Sequence, residues 1–358
     1  MKLPSLSLGD LTASIPIIQG GMGVGVSRSR LASAVANEGG IGVISGVQIG
    51  FNEPDFENNN FAANIRALRK EIRKAKELSP KGILGVNFLV AMKNYKEMAM
   101  TAIEEKIDLI ISGAGLPKEL PEFITGTKTK IAPIVSSGKA AYLISKLWDK
   151  KHNYIPDLVI VEGPLAGGHL GFSLEQLTSF PKIELADLIK DVKEALSSFQ
   201  EKYKKVIPVI AAGGIFDGID IAKYLKLGAS GVQMGTRFVA TEECDADINF
   251  KKAYLNSHEE DIQLVKSPVG MPGRAITNAF IKKTELGNIP IKKCYDCLIP
   301  CNPKDTPYCI SKALIESVKG NLENGLIFTG SNAFRLKEIL PVKQLLQQLI
   351  NEAESALV

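Results

Sequence analysis

The sequence predicts an α/β fold: a (β/α)8 TIM barrel with a smaller C-terminal cap segment. Short apolar runs alternate with longer amphipathic segments up to about residue 240. Eight such runs can be counted, which is the number of strands in this kind of barrel. Glycine-rich turns follow several of the runs, whereas an open doubly wound sheet places its binding turn at one switch point. The open sheet stays the alternative, because a strand count alone does not show closure.

The eight runs are continuously apolar rather than alternating, which is typical of parallel strands buried on both faces. The clearest helical segment between them runs from Ile65 to Leu78, with apolar residues on one stripe. Its other face carries Arg and Lys side chains, which we interpret as a solvated helix surface. The predicted strands are Ile15–Gln19, Gly42–Ser45, Ile83–Leu89, Leu109–Ser112, Ile131–Ser136, Leu158–Glu162, Pro208–Ala212 and Gly231–Gly235.

Three segments are predicted along the chain. Residues 1–244 form the barrel. Residues 245–335 break the strand–helix alternation with six prolines and four of the five cysteines, so we predict a cap or insert there. Residues 336–358 are predicted to form a C-terminal helix that packs back on the barrel, with Leu345, Leu346 and Ile350 on one side.

Composition excludes several classes of protein. The chain has 358 residues, of which 45% are hydrophobic and 23% charged, as in an ordinary soluble enzyme. A net charge of +4 and 6% aromatic residues give no sign of a nucleic-acid surface. The longest apolar stretch, near Ile83 to Met92, is about half of what a bilayer requires, and no signal-peptide core opens the chain. We therefore expect a cytoplasmic protein with a small-molecule substrate and no membrane partner.

Glycine turns follow the first, sixth and seventh predicted strands, and another lies in the eighth. They are Gly20–Gly25, the stretch from Glu162 to His169, the pair Gly213 and Gly214, and the stretch from Gln233 to Arg237. Glycine allows backbone N–H groups to approach a phosphate closely. Because a pair of turns after strands seven and eight is the usual phosphate site of a barrel, the sequence predicts a phosphorylated cofactor.

His169 is the candidate catalytic residue. The chain has three histidines, and we interpret His152 and His258 as structural. His169 instead follows two glycines at the mouth end of strand six. An imidazole has an ordinary pKa near 6.5, which suits proton transfer at neutral pH. A structural cap is the alternative role.

Five ordered motifs resemble those of the nitronate monooxygenases, formerly called 2-nitropropane dioxygenases. The similarity covers the whole barrel and continues through Gly273-Arg274-Ala275. The same superfamily contains the flavin-dependent enoyl-acyl-carrier-protein reductase II, whose motifs look much alike. The motifs are Pro16-Ile17-Ile18-Gln19-Gly20-Gly21-Met22-Gly23, Gly85-Val86-Asn87-Phe88, Ala166-Gly167-Gly168-His169, Ala212-Gly213-Gly214-Ile215 and Gly231-Val232-Gln233-Met234-Gly235-Thr236-Arg237-Phe238.

The resemblance implies one non-covalent FMN and assigns residues to it. Met22 and Gly23 would lie against the isoalloxazine through their backbone, and Asn87 would hydrogen-bond the flavin. His169 matches the active-site histidine. The full set of implied cofactor-binding residues is Met22, Gly23, Asn87, Glu162, Gly167, Gly213, Gly214, Gln233, Met234, Gly235 and Thr236.

The implied activity is oxidation of nitronates and nitroalkanes to a carbonyl compound and nitrite, with dioxygen as co-substrate. The histidine would be the base for a neutral nitroalkane. Two positions depart from the family: Leu165 stands where many members have Glu, and Glu162 where several have an amide. These departures leave an alternative, an NAD(P)H-dependent flavin reductase of enoyl thioesters or quinones. A flavin- or metal-binding redox sensor is a third hypothesis, motivated by the cysteines.

Four of those cysteines are clustered in the predicted cap. Their spacing is Cys294-x2-Cys297-x3-Cys301-x7-Cys309, and the first pair has the spacing of a metal knuckle. The later spacings match no common knuckle. The sequence leaves three possibilities open: a metal or iron–sulfur site, reduced structural thiols, or a regulatory disulfide.

Overall fold

The computed structural model describes residues 1–358. The strands, in chain order, are β1 (Leu6–Leu8), β2 (Leu11–Ala13), β3 (Ile17–Gln19), β4 (Ile41–Ser45), β5 (Ile83–Leu89), β6 (Leu109–Gly113), β7 (Lys130–Val135), β8 (Val159–Glu162), β9 (Gly168–His169), β10 (Val209–Ala212), β11 (Gly231–Met234), β12 (Ile262–Lys266) and β13 (Pro272–Ile276). The helices are α1 (Ser29–Asn37), α2 (Asn60–Leu78), α3 (Tyr95–Glu104), α4 (Leu120–Phe123), α5 (Gly138–His152), α6 (Leu174–Thr178), α7 (Leu185–Tyr203), α8 (Gly218–Lys226), α9 (Thr236–Val239), α10 (Ile248–Leu255), α11 (Ala279–Leu286), α12 (Ile310–Val318) and α13 (Val342–Ala356).

Eight parallel strands close into a barrel, in the order β10-β11-β3-β4-β5-β6-β7-β8. The ring closes where β11 pairs with β3, with Gln233 opposite Ile18. Each of the eight predicted strands is present, and the bounds differ by at most two residues. The TIM-barrel prediction is therefore confirmed, and the open doubly wound sheet is excluded.

The interior of the barrel is filled by apolar side chains, and a hairpin covers its N-terminal end. Ile41 and Leu109, at the starts of β4 and β6, pack in one core with Leu6 and Leu8 of the β1–β2 hairpin. Asp10 in the turn of this hairpin forms an ion pair with Lys130, the first residue of β7, at 2.5 Å. The carboxyl ends of the strands are thus the open face, as in other barrels of this type.

The outer helices pack around this ring, and α2 confirms the clearest helical prediction. Its apolar stripe is buried through Leu68, Ile72 and Ala75. Its basic face is partly paired rather than simply solvated, because Arg69 and Arg73 both form ion pairs with Glu105 at the end of α3. No helix is both long and apolar enough to cross a membrane.

The C-terminal third adds elements around the open face. Strands β12 and β13 form an antiparallel sheet with β9, which comes from the connection after β8. Helix α13 packs against α8 and begins at Val342, directly after Pro341. This start is later than the predicted residue 336, because proline is readily accepted at the beginning of a helix but not within it. The three-segment division of the chain stays a prediction.

Candidate functional site

A cavity of about 660 Å³ lies at the carboxyl ends of the barrel strands. Chain segments that are far apart in sequence meet here, because parallel strands bring their carboxyl ends to one face. All twelve predicted site residues line it: Met22, Gly23, Asn87, Glu162, Gly167, His169, Gly213, Gly214, Gln233, Met234, Gly235 and Thr236. Their individual roles remain predictions.

The turn after β10 presents backbone donors to this cavity. Gly213 and Gly214 have φ values of +91° and +85°, in the left-handed region that favours glycine. A Cβ atom on Gly213 would lie 2.9 Å from the carbonyl oxygen of Gly163, so a larger residue does not fit without movement. Neither glycine N–H donates a hydrogen bond within the protein. Free N–H groups in such a turn suit an anionic group such as a phosphate.

Residues from the C-terminal third hold the neighbouring turn after β8. Arg274 donates to the carbonyl oxygens of Pro164 at 2.8 Å and Ala166 at 2.5 Å. Gly167 packs so closely against Thr329 that a Cβ there would lie 2.5 Å from the Thr329 carbonyl carbon. We call Gly167, Gly213, Gly214, Gly235 and Thr236 the glycine region of the cavity.

A further contact fixes the glycine region from outside the barrel. Asn332 donates from its Nδ2 to the carbonyl oxygen of Gly214 at 2.7 Å. The backbone N–H of Ser331 donates to Leu165 O at 3.2 Å. Sequence analysis assigned no such role to Arg274, Ser331 or Asn332. Their hydrogen-bond partners lie more than a hundred residues away along the chain.

Two residues that line the cavity carry buried polar atoms without partners. Gln233 Oε1 and Ser45 Oγ are buried and make no hydrogen bond within the protein. Both residues line the cavity, as does Asn87, whose Nδ2 donates to Ile111 O at 3.3 Å. Because buried polar groups are almost always hydrogen-bonded, the unpartnered Gln233 Oε1 and Ser45 Oγ suit a polar ligand. The residues present therefore fit a flavin, with polar edges along the strands and a phosphate at the glycine region.

The backbone after β3 borders the cavity on another side. The N–H of Met22 donates to Ser27 Oγ at 2.8 Å, which fixes the turn. A Cβ on Gly23 would lie 2.7 Å from Ser45 Oγ, so this backbone runs close to the unpartnered hydroxyl. The arrangement agrees with a flat ligand lying against the Met22–Gly23 backbone, as the resemblance implies.

His169 lies on β9, which pairs with β13 through Gly273. Its Nε2 is 2.6 Å from Ser267 Oγ and shares a hydrogen bond with it. The Phe328 ring contacts the imidazole edge-to-face, with centroids 4.9 Å apart. Burial lowers the pKa of His169 to about 4, so the ring is neutral at neutral pH. We call His169, Ser267 and Phe328 the histidine region.

Glu162, at the end of β8, has the opposite shift. Burial raises its pKa to about 8, and no cation contributes to the shift. The carboxyl group is therefore largely protonated at neutral pH. In this form it can donate a hydrogen bond to a ligand, and it does not repel an anionic ligand in the same cavity.

The cysteine segment, residues 294–309, lies beside the open face. Cys294 is exposed, Cys297, Cys301 and Cys309 are half-buried, and none is in a disulfide. Burial raises the pKa of Cys297 to about 11 and also raises the pKa values of Cys301 and Cys309, so these thiols stay protonated. The structure contains no group of three or more His, Cys, Asp or Glu residues arranged to hold a metal.

Comparison with known proteins decides the family. A family model for nitronate monooxygenase matches residues 7–352. The chain belongs to the nitronate monooxygenase family. A probable nitronate monooxygenase from Staphylococcus aureus (strain JH9) is 27% identical over 316 residues, covering 78% of this chain and 81% of the relative. The protein is thus an oxidoreductase of a flavin-dependent family.

Solved structures agree with this family. FabK from Thermotoga maritima is 28% identical with a TM-score of 0.72, and the match covers 95% of this chain and 93% of FabK. A nitroalkane oxidase from Streptomyces ansochromogenes is 22% identical with a TM-score of 0.72 over 95% of this chain and 96% of its own. At that identity the oxidase shares the fold.

Proposed function

We propose that this protein is a cytoplasmic, FMN-dependent nitronate monooxygenase. It oxidises nitronates, and the nitroalkanes that give rise to them, to a carbonyl compound and nitrite with dioxygen. The observation that carries the proposal is the position of one neutral imidazole, His169, on the same cavity as the glycine region. The unpaired cysteines support a reducing compartment.

FMN is the flavin we propose because the glycine region suits one terminal phosphate. Gly213 and Gly214 would donate to the phosphate, and Gln233 would hydrogen-bond the ribityl chain through its unpartnered oxygen. Asn87 and the Met22–Gly23 backbone would hold the ring system. Bound FMN supplies the electron acceptor for oxidation of the substrate.

His169 serves as the base when the substrate is a neutral nitroalkane. The hydrogen bond to Ser267 occupies Nε2, and Nδ1 has no partner in the protein. Nδ1 accepts the proton from the carbon that bears the nitro group, and the electron pair of that C–H bond moves toward the nitro group. The resulting nitronate anion stabilises the imidazolium through its opposite charge. Neutral Glu162 avoids a second negative charge in the cavity.

The test uses protein loaded with FMN and kept free of oxygen. Adding a simple preformed nitronate is expected to bleach the visible flavin band, and admitting oxygen to yield nitrite. An unchanged flavin spectrum with no nitrite, for every simple nitronate tried, overturns the proposal.

A second candidate is the NAD(P)H-dependent reductase of enoyl thioesters or quinones. It is supported by apolar Leu165, which lines the cavity at a position where many family members have Glu. The similarity to FabK, at an identity within one percentage point of that of the Staphylococcus relative, also supports it. Rapid flavin reduction by NADH or NADPH, without nitronate oxidation, would favour this candidate.

A further inference from the structure

No lysine or arginine lines the large cavity, although its glycine region suits a phosphate. The titratable side chains that line it are Glu162, His169 and Tyr254, and burial shifts the pKa of each toward the uncharged form. A phosphate monoester carries a charge of about −2 at neutral pH, since its second pKa is about 6. Backbone N–H groups supply hydrogen bonds but no net charge. The positive charge that balances a phosphate here therefore has to lie behind the cavity wall.

Arg237 lies directly behind the glycine region. It follows Thr236, which lines the cavity at the carboxyl end of β11. Its guanidinium packs on the ring of Phe216, with Cζ 4.8 Å from the ring centroid. Phe216 comes two residues after Gly214. The side chain of Arg237 thus starts from one turn of the glycine region and contacts the chain that leaves another.

The charge of Arg237 has no close counter-ion. The guanidinium forms no ion pair and donates no hydrogen bond within the protein, and its Nε is buried. Three carboxylates act on it only at longer range, those of Glu352, Asp217 and Glu338. Asp217 is paired with Arg335 at 2.7 Å, and Glu352 accepts from a backbone N–H of α8 at 2.8 Å. The guanidinium therefore remains a cation without a partner beside the cavity.

Arg274 is a second half-buried arginine of this kind, beside the turn after β8. Its guanidinium donates to the carbonyl oxygens of Pro164 and Ala166, which leave its charge uncompensated. Burial lowers the pKa of Arg274, and no carboxylate contributes to the shift. Ala166 packs against Gly213, since a Cβ on this glycine would lie 3.0 Å from Ala166 N. A second cation without a counter-ion thus borders the glycine region.

We propose that Arg237 and Arg274 balance the charge of the cofactor phosphate from behind the cavity wall, while backbone N–H groups make the hydrogen bonds. The proposal rests on the proposed function, since it concerns the phosphate of FMN. Neither arginine lines the cavity, so the attraction acts across the low dielectric of the interior rather than by contact. A cation buried without a counter-ion is unfavourable in the cofactor-free protein, and the phosphate relieves this. The two arginines therefore make the site select a phosphorylated flavin.

The test compares two flavins that differ only in the phosphate. Riboflavin has the ring system and ribityl chain of FMN but no phosphate ester. Fluorescence titration into cofactor-free protein gives both Kd values, and the ratio of the riboflavin Kd to the FMN Kd isolates the contribution of the phosphate. Arg237→Met should raise the FMN Kd at least about ten-fold and leave the riboflavin Kd within about two-fold. Arg237→Lys keeps the charge and should regain most of the FMN affinity.

The ion pair on the same aromatic ring provides the matched control. Arg335 Cζ lies 4.2 Å from the Phe216 centroid, and Asp217 neutralises this arginine. The double variant Asp217→Asn/Arg335→Met removes a comparable contact with the ring but leaves the net charge unchanged. Asparagine still caps α8, which begins directly after residue 217. Both Kd values should stay within about two-fold of those of the unchanged protein.

Arg274→Gln extends the test to the second arginine. Glutamine keeps an amide donor for the carbonyl oxygens of the turn and loses the charge. A loosened turn would weaken both flavins by the same factor, so the ratio of the two Kd values separates charge from packing. We expect this ratio to fall about ten-fold, as in Arg237→Met.

The outcomes separate this proposal from the proposed function. If Arg237→Met raises both Kd values by the same factor, or changes neither, the arginine proposal is overturned, and the function stands if nitronates are oxidised. If the ratio falls but FMN-loaded unchanged protein oxidises no nitronate, the arginine proposal is supported and the function falls. Should circular dichroism show that Arg237→Met does not fold, Arg237→Gln takes its place and the same ratio decides.

Discussion

The glycine region and the histidine region belong to one cavity but are built differently. The glycine region presents backbone N–H groups at the ends of barrel strands, held by left-handed glycines such as Gly213. The histidine region presents one side chain, His169, on a two-residue strand that β13 holds in place. Ser267 and Phe328, which contact the imidazole, come from about a hundred residues or more further along the chain.

Because of this difference in construction, the two regions suit different tasks, cofactor binding and proton transfer. Backbone N–H donors have fixed positions and do not change protonation with pH, so the glycine region suits permanent binding of a cofactor. The imidazole changes protonation and is oriented by its neighbours, so the histidine region suits a step in which a proton moves. Changes in one region should therefore leave the property that belongs to the other unaltered.

The largest expected effect is at the histidine region. His169→Asn should lower kcat for neutral nitroalkanes by about 10²–10⁴, because it removes the proposed base. Preformed nitronates need no proton removal, so their turnover should change little, and FMN should stay bound. Steady-state nitrite release from nitroethane and from its nitronate, measured side by side, checks this. Equal losses on both substrates would mean that His169 is not the base.

At the glycine region, Gly213→Ala should weaken FMN binding about ten- to a hundred-fold. A non-glycine residue at this φ costs about 1–3 kcal/mol, and relieving the strain would turn the N–H groups away. Fluorescence titration of FMN into cofactor-free protein gives the Kd. Gly126→Ala is the matched control, since Gly126 has φ +77°, no atom within 4 Å of its added Cβ and no part in the cavity. Equal FMN affinities in the two variants would contradict the assignment.

Two buried titratable groups of the cavity, Glu162 and His169, predict a pH effect in the cofactor-free protein. The pKa of folded Glu162 is about 8, above its ordinary 4.5, so the folded protein holds a proton that the unfolded chain has lost. The free energy of unfolding should therefore fall as pH rises through this window. His169, with its pKa lowered to about 4, acts in the opposite sense but only below its ordinary 6.5.

Comparing pH 6.5 with pH 8.5 therefore isolates Glu162. Across this interval its contribution to the free energy of unfolding should fall by about 2 kcal/mol. Glu162→Gln should remove this fall, because glutamine does not titrate. Urea unfolding at both pH values measures it, and an unchanged pH dependence in the variant would show that Glu162 is ionised in the folded protein.

The smallest effect is expected at Ser267. Ser267→Ala removes the hydrogen bond to His169 Nε2, which is worth about 1 kcal/mol, so nitroalkane turnover should fall about five-fold. Nitronate turnover should not change, and Ser267→Thr, which keeps the hydroxyl, should restore most of the rate. A loss that threonine does not restore would indicate a packing role for Ser267.

The sequence predicted the barrel and the cavity residues because both depend on local signals. Continuous apolar runs indicate buried parallel strands, and residues such as Gly214 and Thr236 directly follow them. The contacts of Ser267, Arg274 and Asn332 could not be predicted, because strand pairing and loop packing across the fold leave no periodic trace in the sequence.

Hairpin β1–β2 limits the routes by which dioxygen and the larger organic substrate reach the cavity. It covers the N-terminal end of a barrel whose interior is packed, so no axial passage leads to the cavity. The open face is then the direct route to the cavity for dioxygen as well as for the organic substrate. An organic substrate that occupies this face should delay the entry of dioxygen, so oxygen uptake is expected to show inhibition at high concentrations of nitronate.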